Sequence, residues 1–202
     1  MILYLHGFRS SPESFKAQHM QAVMTARGMR SLWRCPALPV SPAQSFDLAH
    51  QQALDLCLEH HAGMEKLTIV GSSLGGFYAT CLAETLGCRA VLLNPAVHAP
   101  RDLATQVGKH ENYHNGEPMD FLASYVDELE AMAITRITRP ERYFLIAATG
   151  DEVLDWNEMR EFFQGSRQTI IQGGDHGLTN VFADLIPDIL SFAYPDIVNQ
   201  PS

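Results

Sequence analysis

Nothing in the 202-residue chain is typical of a membrane protein or of a nucleic-acid-binding protein. No run approaches the roughly 18 consecutive apolar residues that a membrane span needs. The stretch Met1–Phe8 has neither the basic region nor the cleavage site of a signal peptide. Basic residues are few, with 14 Lys and Arg against 23 Asp and Glu, and the formal charge of −9 repels nucleic acid and anionic membrane surfaces. We therefore expect neither a nucleic-acid partner nor a membrane partner.

Cysteine and charge are also scarce. The four cysteines (Cys35, Cys57, Cys81, Cys88) show no C-x-x-C spacing and no dense disulfide framework, which favours a reduced, cytoplasmic protein. Charged residues make up only 18% of the chain and hydrophobic residues 46%, so the composition is that of a globular protein with a core. At roughly 150 residues per domain, this length predicts a single domain over residues 1–202.

Short apolar runs alternate with longer helical patterns along the chain. Six of these runs are predicted to be strands: Met1–Leu5, Met29–Cys35, Lys66–Val70, Arg89–Leu93, Tyr143–Ala148 and Gln168–Ile171. Strand and helix in regular alternation predict an α/β fold, with about six parallel strands covered by helices on both faces. Ligands of such sheets bind at the carboxyl ends of the strands, so the residues that follow each strand carry the most information.

Residues 95–140 are too long for an ordinary connection, and a segment of that length in a compact domain is usually functional. Two amphipathic patterns lie inside it, near residues 100–107 and 119–132. They predict a small helical cap inserted over one end of the sheet.

The third predicted strand is followed by Gly71-Ser72-Ser73-Leu74-Gly75, a G-x-S-x-G pattern that opens a helix. This is the setting of a nucleophile elbow, a sharp strand-to-helix turn in which glycines make room and the central serine is exposed. We predict Ser73 as the nucleophile, with Ser72 as its rival. The N–H of Leu74, at the start of the helix, would face a developing oxyanion.

A serine hydroxyl needs a base to take its proton, and an elbow fold places the acid and then the base later in the chain. The fifth predicted strand is followed by Asp151 and the sixth by His176. His176 lies between Gly174 and Gly177 in the segment Gly173–Gly177. We predict His176 as the general base and Asp151 as the acid that orients it. Glu152 and Asp155 remain alternatives for the acid.

The second oxyanion donor is expected from the loop after the first strand, most directly the N–H of Phe8. His6, in the same loop, is expected to brace that loop. No step of this chemistry needs a metal or a cofactor.

These residues lie in segments that resemble the α/β-hydrolases and, more narrowly, the YqiA-like esterases. The segments are Leu5–Phe8, Ser10–Pro12, Gly71–Gly76, Asn94–Val97, Thr149–Asp155 and Gly173-Gly174 with His176. The resemblance implies a minimal α/β-hydrolase fold that lacks the first two strands. It also implies a Ser73–Asp151–His176 triad and hydrolysis of carboxylic esters, with thioesters as further small-molecule substrates. The cap region matches less well, so no substrate preference follows from it.

Three other interpretations remain open. A serine peptidase or amidase would use the same triad, and a non-catalytic binding protein of this fold would keep the pocket without turnover. His110-Glu111-Asn112-Tyr113-His114 matches the H-E-x-x-H pattern of zinc peptidases, with Asp127, Glu128 or Glu130 as third ligands. That pattern needs a helix, and the glycines and Pro118 around it favour a loop.

Overall fold

The computed structural model describes residues 1–195. These residues contain eight strands: Ile2–Leu5 (β1), Trp33–Arg34 (β2), Thr68–Ser72 (β3), Arg89–Leu93 (β4), Gly108–Glu111 (β5), Pro118–Phe121 (β6), Tyr143–Ala148 (β7) and Arg167–Ile171 (β8). The same part of the chain contains seven α-helices: Phe15–Ala26 (α1), Pro42–Glu59 (α2), Leu74–Leu86 (α3), Ala99–Ala104 (α4), Ala123–Met132 (α5), Trp156–Phe162 (α6) and Phe182–Ala193 (α7). Residues 196–202, the end of the predicted domain, lie outside the described residues.

Six of the strands form one sheet in the order β2-β1-β3-β4-β7-β8, and every neighbouring pair is parallel. Alternate side chains of β1 enter two separate cores because successive residues of a strand point to opposite faces. Leu3 and Leu5 pack in the core that contains residues of α2, α3 and α6, whereas Ile2 and Tyr4 pack with residues of α1 and α7. The predicted six-stranded parallel sheet with helices on both faces is confirmed.

The strand order reverses between β1 and β3. From β1 the chain crosses to β2 on one side, returns to β3 on the other side, and continues outward to β4. Such a switch point opens a crevice at the carboxyl ends of the two strands, where ligands of open α/β sheets bind. The loop after β1 and the turn after β3, which carries Ser73, both lie at this crevice.

The second predicted strand is the one that departs most from expectation. Residues Arg30–Leu32 form a 3-10 turn, so only Trp33–Arg34 pair with β1. The fourth and fifth predicted strands coincide with β4 and β7. An edge strand makes ladder bonds on one side only, which explains why the apolar pattern there overestimates its length.

The cap segment, residues 95–140, contains α4 and α5 within the two predicted amphipathic patterns, but residues 119–121 of the second pattern belong to β6. Between them lies an antiparallel hairpin, β5 and β6, that the sequence analysis did not include. Its turn contains Asn115-Gly116, a strong hairpin signal, and Gly116 has φ +70°. The segment is tied to the sheet layer by Glu128 of α5, whose carboxylate accepts hydrogen bonds from Ser41 Oγ and Ala43 N (2.8 and 2.9 Å) at the start of α2.

Candidate active site

Ser73 lies on the turn between β3 and α3 in a strained backbone conformation, with φ +55° and ψ −121°. A positive φ is uncommon for a residue with a Cβ and persists only where the surroundings enforce it. Here Ser73 N donates to Leu93 O (3.0 Å), and Ser73 O accepts from Gly76 N and Ala96 N (2.8 and 3.1 Å). Ser73 is partly exposed within a run of buried residues. The turn therefore presents its side chain at the end of the sheet.

Two glycines of the G-x-S-x-G pattern allow this turn, because a side chain at either position would clash with neighbouring backbone atoms. A Cβ on Gly71 would lie 2.2 Å from Gly75 O, and a Cβ on Gly75 would lie 2.0 Å from Leu5 O. Both contacts are to backbone, which cannot move aside as a flexible side chain can. The glycines are thus required by close packing of β3, α3 and β1.

Ser72, the rival nucleophile, is buried, and its hydroxyl shares a hydrogen bond with the phenol of Tyr4. Ser72 lines the same cavity as Ser73, but its side chain is less exposed and its hydroxyl is engaged by that phenol. The geometry favours Ser73 over Ser72.

Asp151 and His176, which follow β7 and β8, are in direct contact. His176 Nδ1 lies 2.8 Å from Asp151 Oδ2, and the Asp151 side chain is fully buried. The other carboxylate oxygen, Oδ1, accepts hydrogen bonds from Val153 N and Leu154 N (2.8 and 2.9 Å). An ionised carboxylate only accepts, so Nδ1 carries the proton and Nε2 keeps its lone pair.

The two alternative acids have other partners. Asp155 caps α6, where its Oδ1 accepts from Asn157 N (2.8 Å). Glu152 accepts the backbone N–H of His176 (3.0 Å). Asp175, beside the base, accepts from Thr179 N (2.8 Å), and its hydrogen bonds to Thr179 hold the pKa of its carboxyl below the usual range. Asp151 is the carboxylate that contacts the imidazole.

Three side chains from distant elements hold the backbone around His176. Besides Glu152, the amide of Asn94 donates to Asp175 O and His176 O (3.2 and 3.0 Å), and Lys16 Nζ donates to Gly177 O (2.8 Å). Asn94 is fully buried, has φ +42°, and also accepts from Ala148 N (2.9 Å). None of these three supporting roles was predicted from the sequence. The only feature of the sequence that could have indicated a role for Asn94 is its position directly after β4.

The loop after β1 passes directly over Ser73. A Cβ on Gly7 would lie 3.2 Å from Ser73 Cβ. His6 braces the loop as expected: its Nε2 accepts from Leu38 N (3.0 Å), so Nδ1 is the donor to Gly7 O (3.1 Å). Burial lowers the pKa of His6, which keeps this tautomer neutral.

The two expected oxyanion donors are both unengaged. Within residues 1–195, neither Phe8 N nor Leu74 N donates a hydrogen bond to another protein group. The ring of Phe8 packs edge-on against Phe121 and His110 of the hairpin, with ring centres 5.2 and 5.4 Å away. The hairpin thus supports the loop from the cap side.

A cavity of about 250 Å³ lies over this arrangement and is lined by Ser73, His176 and Lys16. A second cavity of about 320 Å³ shares the wall formed by Gly7 and Phe8 and extends toward Leu74. The site therefore has space for a small organic substrate on both flanks of the loop.

The whole described part of the chain has a family match. The model of the uncharacterised protein family UPF0227 matches residues 1–194. The chain belongs to this family. A UPF0227 protein of Yersinia pestis is 26% identical over 159 residues, which is 77% of this chain and 77% of the relative. A UPF0227 protein of Yersinia pseudotuberculosis matches to the same extent.

Solved structures with the same fold include esterases and lipases. A structure of the metagenome-derived lipolytic enzymes LipS and LipT superposes with a TM-score of 0.71 at 14% identity, covering 96% of this chain and 93% of that one. Monoacylglycerol lipase from Paleococcus ferrophilus gives 0.68 at 16% identity, with 96% and 93% coverage. Est1E from Butyrivibrio proteoclasticus, with ferulic acid bound, gives 0.65 at 12% identity, with 98% and 89% coverage. At these identities the likeness shows the α/β-hydrolase fold.

The H-E-x-x-H segment of this UPF0227 chain is not helical. His110 and Glu111 lie in β5, and His114 lies in the hairpin turn, so the two imidazoles do not share a helical face. His110 Nε2 is 2.6 Å from Gln106 O, and His114 Nε2 is 3.3 Å from Ser10 Oγ. No group of three possible metal ligands occurs in the described part of the chain. Likewise, none of its described helices is long and apolar enough to cross a bilayer.

Proposed function

We propose that this protein is a serine hydrolase that cleaves carboxylic esters, and acyl thioesters as a second substrate class. Ser73 is the nucleophile, His176 the general base and Asp151 the residue that orients the base. The N–H groups of Phe8 and Leu74 form the oxyanion hole. This assignment agrees with the resemblance to YqiA-like esterases. We further propose that the protein is cytoplasmic, in keeping with its four free cysteines, and that it acts as a single domain on small molecules.

The reaction would proceed through an acyl-enzyme. Ser73 Oγ attacks the ester carbonyl carbon while His176 Nε2 takes the hydroxyl proton. The carbonyl oxygen becomes an oxyanion, which the two N–H groups stabilise. The intermediate collapses, the carbon–oxygen bond to the alcohol breaks, and His176 gives its proton to the leaving group. Water, deprotonated by His176, then attacks the acyl group and releases Ser73 and the carboxylic acid.

The observation that carries the proposal is the 2.8 Å contact between His176 Nδ1 and the buried Asp151 carboxylate, in a cavity shared with Ser73. The contact leaves Nε2 as the base. A ligand-binding protein has no need of a strained serine together with an oriented histidine. The esterase and lipase neighbours support the same reaction class, and bound ferulic acid in Est1E shows the size of ligand that this fold accommodates there.

Hydrolysis of 4-nitrophenyl butyrate by wild type and by Ser73→Ala tests the proposal. We expect the wild type to turn over and Ser73→Ala to lose at least about three orders of magnitude in kcat, as removal of the nucleophile does in serine hydrolases. Ser72→Ala is the matched control, because it removes the neighbouring hydroxyl, and it should retain most of the activity. Circular dichroism and thermal melting establish that each variant is folded.

Two outcomes would refute the assignment. Full activity in Ser73→Ala would exclude Ser73 as the nucleophile, and inactive wild type toward oxygen esters and thioesters would favour the binding-protein interpretation. A parallel assay with the 4-nitroanilide of butyric acid separates an esterase from an amidase. We expect the ester to be hydrolysed and the anilide to be spared.

A further inference from the structure

Lys16 occupies an unusual position for a lysine. It lies on the first turn of α1 and lines the same cavity as Ser73 and His176. Burial lowers the pKa of its ammonium to about 8, although the carboxylates of Asp175 and Asp151 oppose this shift. An ammonium removed from water is costly unless it is well paired, and such groups concentrate at functional sites.

The pairing of Lys16 within the protein is incomplete. An ammonium has three N–H donors, and within residues 1–195 Nζ donates a single hydrogen bond, to Gly177 O at 2.8 Å. Among these residues, no carboxylate oxygen lies within 4 Å of Lys16 Nζ, the distance limit of an ion pair. Donors in a cavity beside the reacting serine are therefore available to a substrate.

The surroundings of Lys16 favour an organic anion. Phe15 and Tyr113, which are 51% and 68% exposed, line the same cavity and offer ring faces to an apolar group. Arg9, the other cation near the mouth, already lies over the Tyr113 ring at 4.2 Å and donates to Glu111 O (2.8 Å). Ser14 Oγ, in the wall of the cavity, is buried and has no partner among the described residues.

We propose that Lys16 is a specificity-determining residue that binds a carboxylate of the substrate, so that the preferred esters of this enzyme are anionic. The proposal rests on the proposed serine hydrolase function. The Lys16 ammonium also gives the cavity a local positive charge. Without it, the net charge of −9 would repel an anionic substrate. The carboxylate would take the remaining N–H donors of Nζ while the ester carbonyl reaches Ser73.

The competing role is purely positional, because the bond to Gly177 O also holds the loop of the base. Loss of loop position would slow hydrolysis of every ester alike. Loss of a carboxylate partner would slow anionic esters selectively. The ratio of kcat/KM values for an anionic ester and its neutral counterpart therefore separates the two roles.

The experiment compares wild type with Lys16→Met on two pairs of esters. One pair carries the charge on the acyl side, 4-nitrophenyl hydrogen adipate against 4-nitrophenyl hexanoate. The other carries it on the leaving group, 4-carboxyphenyl butyrate against 4-carbamoylphenyl butyrate. We expect Lys16→Met to lower the anionic-to-neutral ratio at least about tenfold in one pair, the scale of a lost hydrogen bond to a charged group. The responding pair identifies the side of the ester that faces Lys16.

Lys66→Met is the matched control, because it removes the same charge from the 3-10 turn before β3, at the opposite end of the strands from Ser73. It should leave both ratios unchanged. Equal losses on anionic and neutral esters in Lys16→Met, or unchanged ratios in both pairs, would overturn the proposal while leaving the Ser73 assignment intact. Absence of any Ser73-dependent hydrolysis would instead remove the proposed function, and this inference with it.

A pH series provides an independent check. The titratable groups around Lys16 are Asp151 and Asp175 after the strands, His176 beside them, and Tyr4 and Tyr113 in the cavity wall. Any change in the shared catalytic step affects both esters of a pair and cancels in the ratio. We expect the wild-type preference for the anionic ester to fall as the pH rises through about 8, where Lys16 loses its proton. A preference that persists unchanged to pH 10 would contradict the role of Lys16.

Discussion

The residues that follow the sheet strands are each held by several hydrogen bonds, whereas the cap segment is attached to the molecule at separate points. Ser73 is fixed by four backbone hydrogen bonds, and the backbone around His176 by side chains from three distant elements. All six residues of β7, the strand that leads to Asp151, are buried. Several independent hydrogen bonds therefore fix the positions of Ser73 and of the backbone around His176.

The cap segment carries exposed apolar side chains and is joined to the rest of the chain by scattered contacts. Val107 and Leu122 are about half exposed. Its links to the rest of the chain include Glu128 on α2, the paired hydrogen bonds of Arg101 with Glu158 (2.8 and 2.7 Å), and Asn112 Nδ2 on Ser10 O (3.1 Å). Exposed ion pairs of this kind contribute little to stability.

Under the proposed function, this contrast predicts different tasks for the two regions. Bond breaking needs atoms held to a fraction of an ångström, which the hydrogen-bonded turns at the carboxyl ends of the strands would supply. Substrate choice needs a surface that can vary, which the cap segment would supply. Substitutions at the strand ends should therefore change kcat or global stability, and substitutions in the cap segment should change KM and local stability.

Among the substitutions that leave Ser73 in place, Asp151→Asn should give the largest effect on rate. The amide oxygen can still accept from Val153 N and Leu154 N, so its NH₂ group is turned toward His176 Nδ1. The imidazole must then accept at Nδ1 and carry its proton on Nε2, which leaves Ser73 without a base. We expect kcat for 4-nitrophenyl butyrate to fall by about 10³ to 10⁴ with the fold intact.

Asp155→Asn is the control for that change. Asp155 caps α6, and Asn caps helices as well as Asp does, so both stability and kcat should stay close to wild type. A loss of activity in Asp155→Asn equal to that in Asp151→Asn would mean that the acid has been assigned to the wrong carboxylate.

The convergence of the proposed site residues could be predicted from the sequence because each of them follows a strand. Parallel strands end at one edge of the sheet, so the turn after β3 and the loops after β7 and β8 must meet there. Chain order then separates the acid from the base. This reasoning needs only the apolar runs and the polar residues after them, which a single sequence displays.

The supports of the site could not be named in this way. The bonds from Asn94 to His176 O and from Lys16 to Gly177 O join residues 82 and 161 positions apart. Local periodicity contains no information about such distances. Lys16 reads as a surface charge on a helix until α1 is known to lie against the loop after β8. The hairpin was missed for a different reason, since its strands are short and polar and only Asn115-Gly116 marked the turn.

The same glycine-to-alanine change in the two regions should separate them in stability. In Gly75→Ala the new Cβ would lie 2.0 Å from Leu5 O, so β1 or α3 must shift. We expect a loss of about 3 kcal/mol or more in the free energy of unfolding, measured by urea denaturation. Gly116→Ala meets no atom within 4 Å, and its cost is the positive φ of +70°, about 1 kcal/mol. Equal losses in the free energy of unfolding would show that the carboxyl ends of the strands are no more constrained than the cap segment.

Glu128→Gln should give the smallest effect and the clearest separation of the two regions. Its carboxylate lies at the N-terminus of α2, where a negative charge is stabilised by the helix dipole, and the amide that replaces it keeps the shape without the charge. We expect about 1 kcal/mol less stability, a Tm lower by 2 to 4 °C on the scale of domains of this size. KM for 4-nitrophenyl butyrate should rise a few-fold with kcat unchanged, because α5 loses an anchor while Ser73, Asp151 and His176 keep theirs.

Glu130→Gln, an exposed change on the same helix, should alter neither the stability nor KM. A fall in kcat for Glu128→Gln would show that the cap segment positions the reacting groups, and the division of tasks between the two regions would then be wrong.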